Sequence, residues 1–285
     1  MGGKTCIIVY GPTAAGKTTY ALELALKYDT SIISADSRQC FRELNIGVAK
    51  PSKDELEAVP HYFINSHSIH DKVDVKVFEE YALQAVNKIF ETKDVAIMVG
   101  GTGLYIKAFS EGLDDIPLSD EVIMNEVNQK YANQGIEWLQ DELKALDPSF
   151  YENGEMQNPQ RMIRALAVKL STGKSILEFQ TGKKVKRPFE IKNIYINIPR
   201  GELYQRIDQR VDRMIEAGLL EEAKSLLPFK HLNALQTIGY KEIFDYLEGK
   251  CSFEDAIENV KKNTRHFAKR QITWFNKFFK AEVPE

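Results

Sequence analysis

The chain is 285 residues long, enough for one large domain or two modest ones with a substantial core. Hydrophobic residues at 43% and charged residues at 28% describe an ordinary globular protein, and a net charge of −3 excludes a global basic field, so nucleic-acid binding would need local patches. Cys6, Cys40 and Cys251 are odd in number and far apart, which excludes a disulfide framework or zinc knuckle, and no apolar run approaches the roughly 20 residues that span a bilayer.

The opening Met1-Gly2-Gly3-Lys4-Thr5 runs at once into a β-branched stretch and leaves no room for a leader. Cys6 stands where a myristoylation signal needs Ser or Thr, so the expectation is a cytoplasmic protein with no membrane partner. Thr5 to Tyr10 reads as a strand and Thr19 to Lys27 as a helix. Between them lies Gly11-Pro12-Thr13-Ala14-Ala15-Gly16-Lys17-Thr18. Strand, glycine loop and helix are the context a phosphate-binding P-loop requires. Backbone N–H groups turn inward on an anion, and the helix presents its positive end. Lys17 adds a point charge for terminal phosphates, and the Thr18 hydroxyl is placed to ligate Mg²⁺. The octapeptide therefore predicts a protein that grips a polyphosphate or diphosphate.

Thr30 to Ala35 reads as a second strand that delivers Asp36-Ser37-Arg38-Gln39 at its carboxyl end, where open α/β sheets bind ligands. Asp36 is either a site residue or a helix-capping aspartate. Residues 45–75 look irregular, with Pro51 and Pro60, and His61, His67 and His70 match no metal-ligand spacing. Val77 to Glu91 has helical apolar spacing. Asp94 to Val99 is a buried-strand signal followed by Gly100-Gly101-Thr102-Gly103, a second glycine turn with Thr102 as its hydrogen-bonding group. Glycine also simply ends strands.

After Asp114-Asp115-Ile116-Pro117 the strand–helix alternation stops. Glu121 to Ala132, Ile136 to Asp147 and Pro159 to Ser171 read as helices, which predicts a helical insertion over residues 114–189 within a core built from residues 1–113 and 190–285. In the third helix Asn158 is a good N-cap and Pro159 a good first-turn residue. Ile163, Leu166, Ala167 and Leu170 form its apolar stripe, and Arg161 and Arg164 share another face. That face is either solvated or, with Lys183, Lys184, Lys186 and Arg187, an anion surface.

Lys192 to Ile198 returns to strand. Leu203 to Ala217 is helical, with Arg206, Arg210 and Arg213 free either to pair with Asp208, Asp212 and Glu216 or to reach over a phosphate. From Phe253 onward the chain is helical. Lys262, Arg265, Lys269, Arg270, Thr273, Lys277 and Lys280 make polar, largely basic faces suited to a phosphate backbone, while Ile272, Phe275 and Phe279 turn inward.

Together these segments resemble the tRNA dimethylallyltransferase (tRNA isopentenyltransferase) family in its compact bacterial form. The resemblance rests on Gly11 to Thr18, Ser34-Ala35-Asp36-Ser37, Gly47-Val48-Ala49-Lys50-Pro51, Val99 to Tyr105, Asn158-Pro159-Gln160-Arg161, Gln236-Thr237-Ile238-Gly239-Tyr240 and Lys269 to Phe275, in the family's order across nearly the whole chain. One departure is that Ile123 and Met124 stand where members often carry an arginine.

The resemblance implies a P-loop NTPase-like parallel sheet flanked by helices, with an all-helical insertion domain. It also implies transfer of a dimethylallyl group from its diphosphate to the exocyclic amine of the adenosine 3′ of a tRNA anticodon. The loop from Gly11 through Pro12, Thr13, Ala14, Ala15, Gly16 and Lys17 to Thr18 would then hold the diphosphate with Mg²⁺ on Thr18, and Arg206 or Arg210, with Arg210 favoured, would neutralise the leaving group. Asp36 would be the general base and Thr102 would hydrogen-bond nearby. Contacts to the anticodon stem-loop would come from Asp36, Ser37, Arg38, Gln39, Thr102, Gln160, Arg161, Met162, Ile163, Arg164, Gly239, Tyr240, Lys241, Lys269, Arg270 and Trp274, in a monomer. A P-loop also carries the expectation of nucleotide binding, ATP included. The rival readings are a P-loop kinase of a small molecule or nucleotide, with Asp36 activating a hydroxyl, and a P-loop switch. No Walker-B aspartate ends the Val95–Val99 segment, which favours the transferase.

Overall fold

The computed structural model describes residues 3–279. The chain divides into two compact units, Met1–Gly112 with Lys186–Glu285, and Leu113–Val185. In chain order the first unit opens with β1 (Thr5–Tyr10), α1 (Lys17–Lys27), β2 (Ile32–Ala35), α2 (Lys53–Ala58), β3 (His61–Tyr62), α3 (Val75–Phe90), β4 (Val95–Gly100) and α4 (Gly103–Glu111). The second unit contributes α5 (Glu121–Leu146), α6 (Pro148–Asn153), α7 (Pro159–Thr172) and α8 (Ile176–Phe179). The first then resumes with β5 (Glu190–Tyr195), α9 (Arg200–Glu216), α10 (Leu219–Leu226), α11 (Tyr240–Leu247) and α12 (Phe253–Phe278).

The five strands form one parallel sheet in the order β3-β2-β4-β1-β5. Alternation in β1 explains the two layers around it. Cys6, Ile8 and Tyr10 join the core made with α3, α4, α10 and α11, while Ile7 and Val9 join Ala21 and Ala25 of α1. Both faces are covered, so the strand reads as a continuous apolar run.

Two elements lie where the sequence reads as irregular. In α2, Ser52 and Glu55 form a reciprocal capping box, yet no residue of the helix is buried, so it has no apolar stripe to announce it. The two residues of β3 are too few to show a period of two. The tail is one continuous α12; Lys280 lies outside the described residues.

The second unit is all helix among its described residues, with its own core of Val127, Leu139, Leu143, Phe150, Met162, Ile163, Leu166 and neighbours. The two predicted helices on either side of Gly135 are the arms of α5, which bends where Gly135 takes a φ of 80°. In α7 the Asn158 side chain accepts a hydrogen bond from the Arg161 N–H. Two expectations fail here. Met162 and Ile163 are 0% and 3% exposed, so their side chains are core and cannot touch RNA. Leu170 is 47% exposed, and Ala165 and Val168 fill the stripe instead. Gln160, Arg161 and Arg164 are exposed, and Ile123 and Met124 pack on this core.

Candidate active site

Three strand ends build the site. The register sets Tyr10 against Gly100 and Gly100 against Ala35, so Gly11, Gly101 and Asp36 leave the sheet side by side at its carboxyl edge. Position 100 admits no side chain, because a Cβ there would lie 2.2 Å from the Ala35 carbonyl oxygen.

The glycine loop of residues 11–18 follows β1. Gly16 takes a φ of 93°, a left-handed conformation open to glycine, and turns the chain into α1. Gly11, Pro12 and Ala15 are buried; Thr13, Ala14, Lys17 and Thr18 are half-buried. The Lys17 ammonium donates to the Pro12 carbonyl at 2.6 Å. Burial lowers its pKa to about 7; the neighbouring Arg210 charge works the same way and Asp36 works against both. An anion beside Lys17 would stabilise its charged form.

The arginines of α9 divide their work. Arg210 Nη1 donates to Thr13 Oγ1 at 3.2 Å. Burial lowers the Arg210 pKa, opposed by Asp36. Arg206 pairs with Glu202 at 2.6 Å, and its Nη1 lies 3.5 Å from where a Gly16 Cβ would sit. The acids of α9 look elsewhere: Asp208 pairs with Arg265, and Asp212 with Lys261 at 2.8 Å. Arg210 is thereby released towards the loop, whereas Arg265 is committed to α9 rather than to a phosphate-facing surface.

Asp36 follows β2. Its Oδ1 accepts from the Arg38 N–H at 2.8 Å and the Gln39 N–H at 3.3 Å, a turn-capping arrangement that fixes the carboxylate. Asp36 also lines a cavity of about 680 Å³ together with Thr13, Thr102 and Arg210. Capping and cavity lining are therefore combined in one residue. Thr102 Oγ1 accepts from the Ser37 N–H at 3.2 Å, tying the β4 turn to the β2 turn. Ser37, Arg38, Gly239, Lys241 and Arg270 line the same cavity. On the α9 side its lining is apolar, with Met214 half-buried and Ile207 and Val211 buried.

Other expected contacts are structural. Both ends of the Gln39 amide are engaged, Oε1 by the Ser34 hydroxyl at 3.1 Å and Nε2 by the Val48 and Ala49 carbonyls at 3.3 and 3.1 Å. Tyr240 is 0% exposed and its hydroxyl donates to Glu222 at 2.6 Å; burial, then the Glu222 charge, pushes its pKa well up. Neither side chain is available to RNA. Trp274 is half-buried, and its ring sits against Gly103, where a Cβ would meet it at 2.2 Å, so this close packing fixes the ring. Lys269 and Arg270 are exposed.

Two residues that hold the cavity's wall and the glycine loop in place escape a reading of the sequence. Glu222 accepts from the Ile46 and Gly47 N–H groups at 2.8 and 2.9 Å as well as from Tyr240, and so clamps the Gly47–Val48 wall of the cavity. Gln271, 7% exposed, accepts from the Thr13 N–H and donates to the Gly101 carbonyl. Gln271 lies inside the Lys269 to Phe275 motif, where neighbouring charges draw attention away from it; only its polarity on an apolar helix face could have flagged it.

The fold and this edge define a P-loop-like α/β protein in which Thr13 of the glycine loop, Arg210 and the Asp36 carboxylate line one cavity. The chain belongs to the IPP transferase family, whose model matches residues 39–278. It is 46% identical to the tRNA dimethylallyltransferase of Cytophaga hutchinsonii over 96% of this chain and 90% of that one, and 49% identical to that of Christiangramia forsetii over 95% and 90%. Among solved structures it resembles the tRNA isopentenylpyrophosphate transferase of Bacillus halodurans, with 35% identity, a TM-score of 0.69 and coverage of 98% and 88%. It also resembles a eukaryotic dimethylallyltransferase acting on tRNA, with 28% identity, a TM-score of 0.80 and coverage of 95% and 70%.

Proposed function

We infer that this chain is a tRNA dimethylallyltransferase, which transfers the dimethylallyl group of dimethylallyl diphosphate to the exocyclic amine of the adenosine 3′ of the anticodon and releases pyrophosphate. The observation that carries the reading is the placement of Asp36 and Arg210 on the wall of one cavity with Thr13 of the glycine loop. A departing anion and a proton acceptor can then serve one substrate pair.

The main-chain N–H groups of Ala14, Gly16, Lys17 and Thr18 hold the diphosphate, those of Thr13 and Ala15 being taken by Gln271 and Pro12, and Lys17 and Arg210 neutralise the charge that grows on it as the allylic C–O bond breaks. The adenine nitrogen supplies the electron pair for the new C–N bond, and its proton passes to Asp36. Such general-base help is typically worth roughly 10²–10⁴-fold. The half-buried Met214 on the α9 side of the cavity suits a five-carbon apolar group. The base must leave its stack at a cost of a few kcal/mol, and the exposed Gln160, Arg161, Arg164, Lys269 and Arg270 suit the anticodon stem-loop.

Magnesium fits the donor set. Thr18 offers one half-buried hydroxyl at the cradle, and the described residues hold no cluster of three His, Cys, Asp or Glu side chains. That suits an ion taking most of its ligands from diphosphate and water. When bound it supplies charge stabilisation to the leaving group. No helix among the described residues is long and apolar enough to cross a membrane, in keeping with a cytoplasmic tRNA-modifying protein.

A kinase reading lacks support: β4 ends at Gly100 and passes into Gly101, whose carbonyl is held by Gln271, and this strand end offers no metal-binding carboxylate. The test incubates the protein with unmodified tRNA, dimethylallyl diphosphate and Mg²⁺ and examines nucleosides by mass spectrometry. A prenylated adenosine is the expected product, and its absence would sink the reading. Asp36→Ala is expected to lower kcat by about 10²-fold or more while tRNA affinity holds; an equal fall in affinity would make Asp36 a binding residue.

A further inference from the structure

Parallel strands β1 and β4 hold each other up to the pair Tyr10 and Gly100, and beyond it the ladder ends. The side-chain amide of Gln271, reaching in from α12, supplies the next rung. Its Oε1 accepts from the Thr13 N–H at 2.8 Å and its Nε2 donates to the Gly101 carbonyl at 2.9 Å. Position 101 tolerates only glycine at this approach, since a Cβ would lie 2.4 Å from Gln271 Nε2. The rung stands between the two halves of the site. On one side Thr13 accepts from Arg210 at 3.2 Å; on the other Gly101 leads into Thr102, which accepts from the N–H of Ser37, the residue after Asp36.

We propose that Gln271 is a positioning residue of the transfer reaction, one that fixes the diphosphate cradle at a set distance from the proton acceptor Asp36. The proposal rests on the transferase reading above. A primary amide is the side chain suited to the place: it offers one acceptor and one donor on a rigid plane, as a backbone peptide does. A carboxylate would accept from Thr13 but face the Gly101 carbonyl with a second acceptor. Gln271 lines the cavity, but both ends of its amide are engaged by the Thr13 N–H and the Gly101 carbonyl, so its role is to hold rather than to react. It keeps the leaving group and the amine in line, so its effect belongs to the transition state rather than to binding.

Two variants test this in the full chain with tRNA and dimethylallyl diphosphate. Gln271→Met keeps length and burial but removes both hydrogen bonds; Gly101→Ala leaves Gln271 in the chain and drives its amide away. Each is expected to lower kcat by roughly 10–100-fold, the cost of a misplacement of about an ångström, while pyrophosphate and tRNA dissociation constants stay within about threefold. In a cycle with Thr13→Ala, the double variant with Gln271→Met should lose less than the product of the single losses, because both act along one path. A kcat within about twofold of the parent in either folded variant would overturn the proposal, as would parallel losses of affinity and kcat. Failure of the parent protein to form prenylated adenosine would instead strike the transferase reading and leave these ratios without a reaction to describe.

Discussion

At Lys17 burial in the free protein works against the charged form. The ordinary pKa of 10.5 falls to about 7, through burial first and Arg210 second. From about pH 7 to 10.5 an unfolded chain would carry a proton there that the folded one has shed. The contribution of Lys17 to folded stability therefore rises with pH across that window. Two outcomes follow from this sign. Lys17→Met should raise the melting temperature of the ligand-free protein at pH 7 while abolishing pyrophosphate binding. At pH 8 the parent should take up protons on binding pyrophosphate, measured by calorimetry in buffers of different ionisation enthalpy, and uptake below about half a proton would show that Lys17 is already charged. The arginines answer to the same kind of test. Arg210 bonds the glycine loop directly and Arg206 is held by Glu202, so Arg210→Ala is expected to cost about 10²-fold or more in kcat and Arg206→Ala much less. Equal losses would show that both neutralise the leaving group.

Among the elements, the loop carrying Gly47 and Val48 owes its place to a carboxylate far along the chain. Glu222 gathers the Ile46 and Gly47 N–H groups and the Tyr240 hydroxyl, joining that loop to α10 and α11 beside the cavity. Tyr240→Phe keeps the ring and leaves one lobe of a carboxylate short of a donor, at an expected cost of about 1.5–3 kcal/mol in chemical denaturation. An unchanged midpoint would mean the hydroxyl contributes nothing. The elements also show where local sequence speaks and where it falls silent. α7 was legible from Asn158, Pro159 and its stripe because capping and amphipathicity are written within one or two turns. α2 was not, because a helix without a buried face leaves no periodic mark. The exposure of Leu170 has the same cause: the stripe's centre is set by what packs on it, here Ala165 and Val168.

At the scale of the molecule, the second unit has a core of its own, and its exposed Gln160, Arg161 and Arg164 lie on the polar side of α7. If these residues meet phosphates, Arg161→Ala should weaken tRNA binding across sequences and reduce the slope of log affinity against log salt by about one, with pyrophosphate affinity unchanged. An unaltered slope would remove Arg161 from the RNA surface. The local charges matter more than the total, since the chain as a whole carries −3.

What the sequence by itself determined are the features whose chemistry is contiguous: the strand, glycine loop and helix of the cradle, Asp36 and Thr102 at strand ends, the break into an all-helical insertion, and the order of motifs that places the chain in its family. The tertiary structure alone decided which of those residues are free to act. It turned Met162, Ile163, Gln39 and Tyr240 into structural residues, sent Asp208 and Asp212 to α12 so that Arg210 could reach Thr13, and brought Gln271 to the glycine loop. The reason is distance along the chain. The bonds from Arg210 and Gln271 to Thr13 span 197 and 258 residues, and only packing of the finished sheet and helices brings such partners within reach.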